Sequence, residues 1–208
     1  PHGLPDIAQL DADIYLFSLY KTWGPHLGAM FVKRVLMKQM TNQSPYYNGA
    51  EAHYCLTPAG PDHAQIAAAA GVAEYLDVVY AHHFDDDPES AVKGRRLHQL
   101  FSDYESSLLT PLLDFLKARN DVFIVGPDDA GIRASTVTIL PLEKPVPAVV
   151  AELEKQKLMV ASGDFDGVRQ LDDMKIDSDP GVIRMSLLHY TTRDEIDQLI
   201  SGLTIALG

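Results

Sequence analysis

A single amine set among hydroxyls is the first chemical feature of this chain. Lys21 lies in Leu16-Phe17-Ser18-Leu19-Tyr20-Lys21-Thr22-Trp23-Gly24-Pro25, between an apolar run of strand formers and a glycine/proline turn. An amine delivered there suits imine formation with a carbonyl compound. Ser18 and Tyr20 place hydroxyls close by, suited to a phosphate, and Gly24, Pro25 and Gly28 permit a tight, open backbone around a ligand. The competing reading is a solvated surface charge, the usual state of a lysine. Far along the chain, Arg184 stands in Gly181-Val182-Ile183-Arg184-Met185, and by residue type alone it reads as a surface or ion-paired arginine.

These residues need elements to carry them. Ile14-Tyr15-Leu16-Phe17 and Gly28-Ala29-Met30-Phe31-Val32 read as neighbouring strands joined by a polar loop. Pro61 opens an alanine-rich helical pattern, with Ala68, Val72, Tyr75, Leu76 and Val79 at helical spacing, that stops at the acidic run Asp85-Asp86-Asp87-Pro88. A long amphipathic helix follows, its buried stripe marked by Leu97, Phe101, Tyr104, Leu108, Leu112 and Phe115, with Pro111 as a point of kinking or breakage. Strands are expected at Val122–Val125, Arg133–Ile139, Leu158–Val160 and Gly181–Met185, with a helix over Val146–Lys157. Thr192-Arg193-Asp194-Glu195 has the form of a capping box, and Ile196, Leu199, Ile200 and Leu203 give the terminal helix its apolar face.

Composition narrows the function classes. The 208 residues are 46% apolar, enough for a substantial core, and carry a formal charge of −12, which disfavours nonspecific nucleic-acid binding. A single cysteine, Cys55, excludes a disulfide scaffold and reads as a small hydrophobe that fills space or lies near a dimer contact. No apolar stretch reaches membrane-spanning length, so a soluble, cytoplasmic protein is expected. His82-His83 beside Asp85–Asp87 lacks the spacing of a metal site, and no metal is expected. No glycine-rich dinucleotide fingerprint follows a suitable strand, which weakens a nicotinamide-binding reading.

Ser18-Leu19-Tyr20-Lys21-Thr22-Trp23-Gly24-Pro25-His26-Leu27-Gly28 resembles the lysine segment of the class V aminotransferases, fold-type I pyridoxal phosphate enzymes that include cysteine desulfurases and selenocysteine lyases. The tail Val182–Asp197, with Val182-Ile183-Arg184-Met185-Ser186-Leu187-Leu188-His189-Tyr190 at its start, resembles the same family's carboxylate-binding arginine segment, in the same order and at fitting distance. The resemblance implies that Lys21 bonds pyridoxal 5'-phosphate covalently, that Ser18 is a phosphate ligand, and that Arg184 holds the substrate carboxylate. Tyr20 stands where many members have histidine, and His26 lies near enough to contact cofactor or substrate. Thr57-Pro58-Ala59-Gly60-Pro61-Asp62-His63 resembles the turn that reaches a partner subunit's phosphate, with Gly60 offering only its backbone N–H.

The implied fold is α/β: an incomplete large domain with a mixed or mostly parallel sheet over residues 1–90, then a linking helix and a small C-terminal α/β domain over 91–208. The implied function is transformation of a small amino acid in a homodimer, with an N-terminal segment or partner chain supplying the rest of the cofactor site. The family's persulfide-forming cysteine would fall on Ala161–Arg169, which has no thiol, so a conventional persulfide desulfurase is disfavoured. The alternative is a noncatalytic homologue serving dimerisation or protein interaction.

Overall fold

A computed structural model describes residues 3–49 and 51–208, which form two compact units, Gly3–His98 and Gln99–Gly208. The first unit runs through α1 (Ile7–Leu10), β1 (Ile14–Ser18), a 3-10 turn at Leu19–Thr22, β2 (Gly28–Val32), α2 (Arg34–Met37), α3 (His63–Ala68), α4 (Ala70–His83) and the start of α5 (Ser90–Lys117). β1 and β2 pair antiparallel, with Tyr15 opposite Phe31 and Leu16 opposite Met30. The acidic run between α4 and α5 is an ion-paired turn. Arg96 donates to Asp86 at 2.7 Å and to the hydroxyl of the buried Tyr80 at 2.6 Å, and holds the Asp86 carboxyl below its ordinary pKa. Lys93 bridges Asp77 and Asp87.

The second unit takes the remainder of α5, then β3 (Val122–Val125), β4 (Thr136–Pro141), α6 (Val146–Lys155), β5 (Ala161–Gly163), α7 (Val168–Asp173), β6 (Val182–Ser186) and α8 (Arg193–Leu207). Its four strands lie in the order β3-β4-β6-β5. Val137 and Ile139 of β4 sit opposite Met185 and Ile183 of β6, and this face packs on Leu112 and Leu116 of α5, Leu153 of α6 and Leu203 of α8. Strand alternation therefore turns Thr138 and its partner Arg184 to the other face of the sheet. The capping box of α8 forms: the Glu195 carboxylate accepts from the Thr192 N–H at 2.7 Å, and the Glu195 N–H donates to the Thr192 hydroxyl at 3.2 Å. α5 passes through Pro111 without a break.

The expected mixed or mostly parallel sheet is overturned, because among the described residues every strand pairing in both sheets is antiparallel. In the first unit the connection Leu19–Leu27 is shorter than the crossover of about a dozen residues that adjacent parallel strands require. In the second, β4 and β5 run the same way through α6, but β6 inserts between them. The strand expected at Leu158–Val160 is also displaced, to Ala161–Gly163.

Candidate functional site

The residues around Lys21 are fixed by backbone chemistry. β1 ends at Ser18, and the chain tightens into the 3-10 turn Leu19–Thr22 that carries Lys21. The Leu19 carbonyl accepts from the Thr22 hydroxyl at 2.9 Å and from the Gly24 N–H at 2.9 Å, while the Leu19 N–H donates to the Leu27 carbonyl at 2.8 Å. Trp23 closes the turn in the left-handed region at φ 62°, donating its N–H to the same Leu19 carbonyl. Gly24 is required by close approach: a Cβ there would stand 2.8 Å from Val72 Cγ2 on α4 and 3.0 Å from Leu19 Cβ. The turn is thus clamped between its own hairpin and α4.

Ser18 and Lys21 line one cavity of about 760 Å³, walled by Tyr15, Phe17 and Phe31 and reached by Arg95 from α5. Its volume is that of a small-molecule site, with mostly apolar walls and a few convergent polar groups. Arg95 pairs with Asp6 at 3.5 Å on the same wall. An amine, a hydroxyl, a guanidinium and aromatic faces are a donor set that fits a phosphorylated aromatic aldehyde. Tyr20 and His26 face each other instead, their rings stacked at 4.6 Å and 10°, with the Lys21 ammonium 5.8 Å from the Tyr20 ring centroid. Gly60 lies exposed in the loop before α3, whose first turn is capped by Asp62 accepting from the Gln65 N–H at 3.1 Å. The Asp62 carboxyl is held below its ordinary pKa by its hydrogen bonds with Gln65.

Arg184 belongs to the second unit. It is half-buried on β6, between Thr138 of β4 and Ala161 of β5, with its guanidinium carbon over the face of Phe165, 4.0 Å from the ring centroid. Cys55 is buried in the first unit, its Sγ 3.8 Å from the Met40 and Thr41 carbonyls. His53 lies 3.6 Å from Glu51, and His189 stacks on Phe101 at 4.1 Å. Among the described residues no group of three or more His, Cys, Asp or Glu side chains is arranged to hold a metal ion, and no helix is long and apolar enough to cross a membrane.

Residue-type reasoning around Lys21 missed the aromatic wall and Arg95. The wall was open to discovery: Tyr15 and Phe17 are two apart on one strand, so they share a face, and the hairpin register puts Phe31 opposite Tyr15. Phe165 on Arg184 had no such signal, because the two are distant in sequence and are brought together by the fold.

The model of the class-V aminotransferases matches residues 1–199, and the chain belongs to that family. It is 26% identical over 212 residues to an aminotransferase-like protein of Gibberella zeae, covering 100% of this chain and 49% of that one. It is 25% identical over 218 residues to a cysteine desulfurase of Cronobacter sakazakii, covering 97% of this chain and 47% of the relative. Among solved structures, the cysteine desulfurase CsdA of Escherichia coli superposes with a TM-score of 0.75 at 21% identity, over 97% of this chain and 48% of that one. The chain therefore spans about half the length of the relatives it matches. Membership makes pyridoxal phosphate the implied cofactor and places the chain in a superfamily of pyridoxal phosphate-dependent transferases and lyases.

Proposed function

We propose that this chain carries the lysine and carboxylate-binding parts of an enzyme that transforms a small amino acid with pyridoxal phosphate. The observation behind this reading is the convergence of Ser18 and Lys21 on one cavity of about 760 Å³, in a chain of the class-V family. In this reading the Lys21 amine holds the cofactor, and the freed amine later moves a proton at the substrate Cα. Ser18 contributes a hydroxyl to the phosphate, Tyr20 serves the cofactor and His26 the substrate, and the Gly60 N–H serves a partner subunit's phosphate in a homodimer. Arg184 takes the substrate carboxylate through in-plane N–H donors. Bound pyridoxal phosphate supplies the electron sink for carbanion chemistry, and the protein orients the scissile bond. Ala161–Arg169 lacks a thiol and Cys55 is buried, so persulfide-forming desulfuration is disfavoured and other outcomes on a small amino acid are favoured. For the family fold the reading takes residues 1–90 as the C-terminal portion of the large domain and 91–208 as the linking helix and small domain.

A second reading is a noncatalytic interaction domain, favoured by the apolar side chains exposed on both faces of the β1–β2 hairpin, among them Leu16 at 66% and Phe31 at 43%. Titration of the 208-residue chain with pyridoxal phosphate, followed by visible absorption, separates the two. A saturable band lost in Lys21→Ala supports the enzyme reading. Identical, nonsaturating spectra for both proteins would overturn it for this chain and leave the interaction reading.

A further inference from the structure

The loop between β5 and α7 is built at some cost to its backbone. Phe165 and Asp166 both adopt left-handed conformations, φ 52° and 62°, in a stretch closed by the Gly167 N–H donating to the Asp164 carbonyl at 2.9 Å and by the Asp166 N–H donating to the Asp164 carboxylate at 3.0 Å. A bulky aromatic is an uncommon occupant of this region, which glycine or asparagine adopts with less strain. The ring is nevertheless anchored: Phe165 packs against the buried cluster Leu171, Ile176 and Val182. Its free face meets the Arg184 guanidinium, 4.0 Å from the ring centroid. The loop is also held close to β6, because a Cβ on Gly181 would stand 2.9 Å from the Asp164 nitrogen.

We propose that Phe165 is a positioning residue for carboxylate recognition, acting through Arg184. This rests on the reading of Arg184 as the carboxylate clamp. A ring against the guanidinium face occupies its π surface and leaves the in-plane N–H donors for a bidentate acceptor. It also restricts a long side chain that otherwise loses much rotamer freedom on binding. Val182 lies two residues before Arg184 on the same strand, so the cluster that fixes the ring and the arginine it orients share one sheet face.

The test is a nitrogen-15 NMR titration of the Arg184 Nε–Hε signal, assigned by its loss in Arg184→Lys, with acetate replacing chloride at constant ionic strength. The wild-type signal shifts saturably. Phe165→Leu, which keeps apolar volume but removes the ring, weakens acetate binding about three- to tenfold, and Phe165→Tyr stays close to wild type. Should Phe165→Leu not fold, Phe165→Met carries the same comparison. If the ring-lacking variant binds acetate as tightly as wild type, or Phe165→Tyr is weakened as much, the positioning role is overturned while the clamp reading stands. A wild-type signal unmoved by acetate overturns the clamp reading and the positioning role with it.

Discussion

Val137 and Ile139 on β4 are wholly buried beneath three helices, whereas on the β1–β2 hairpin Leu16 is 66% exposed and Met30, its partner across the strands, 46%. In the second unit β4 alternates under its helices, Thr136 to Pro141 switching between half-buried and buried at every step. The hairpin carries apolar residues on both faces, the pattern of strands meant to be covered twice. Similar strand propensities thus lead to different outcomes, because burial depends on what packs against a strand. The second unit supplies its own cover; the first leaves a large apolar surface of the kind that marks interaction sites.

The widest separation between the two regions should come from side-chain truncation. Leu112→Ala on α5, at a fully buried position, is expected to cost about 2–5 kcal/mol, while Leu16→Ala should stay within about 0.5 kcal/mol. Urea unfolding read separately from amide signals of each unit checks this, and equal losses would abolish the distinction. Next comes Gly181→Ala, where a left-handed φ of 74° combines with crowding against Asp164. A loss of about 2–4 kcal/mol is expected, with faster amide exchange at Phe165–Gly167 and a diminished acetate response at Arg184. Gly24→Ala is the counterpart in the first unit. Overlap with Val72 should cost about 1–3 kcal/mol, and adding Val72→Ala should restore part of it in thermal melts.

The smallest effect is a titration. Glu195 has its carboxyl pKa lowered by hydrogen bonds from the Thr192 backbone N–H and hydroxyl. A lowered folded-state pKa means the carboxylate's contribution is fully present above the unfolded-state value and is lost as pH falls through the folded one. The protection of amides in the first turn of α8, measured against their intrinsic exchange rates, should therefore fall on acidification below the ordinary glutamate range, and Glu195→Gln should flatten that dependence. An unchanged pH profile in the variant would remove the capping carboxylate as its cause.

Local chemistry was legible wherever a short segment decides its own conformation. Thr192 and Glu195 announce α8, and the apolar runs at Ile14 and Gly28 announce both hairpin strands. The direction of the hairpin strands was open to the sequence, because the connection Leu19–Leu27 is too short for a parallel crossover; that of the second sheet was not, since it follows from the insertion of β6 between β4 and β5. Leu158-Met159-Val160 misleads because its apolar side chains suit a strand, yet Leu158 packs against the core and the ladder is taken up by Ala161-Ser162-Gly163. Those small residues fit the close passage of Gly163 and Gly181, a demand no propensity expresses. At the candidate site, Lys21 and Ser18 line one cavity and are close in sequence, while the neighbour of Arg184 came from tertiary structure alone.

The turn beneath Lys21 has an entropic consequence. Three donors, from Thr22, Trp23 and Gly24, converge on the Leu19 carbonyl, so the backbone carrying the amine is immobilised when the chain folds. Ordering a residue's backbone costs about 1–2 kcal/mol, and here that cost does not fall on ligand capture. What remains free is a stem of four methylenes, on which the amine can move while its base stays still.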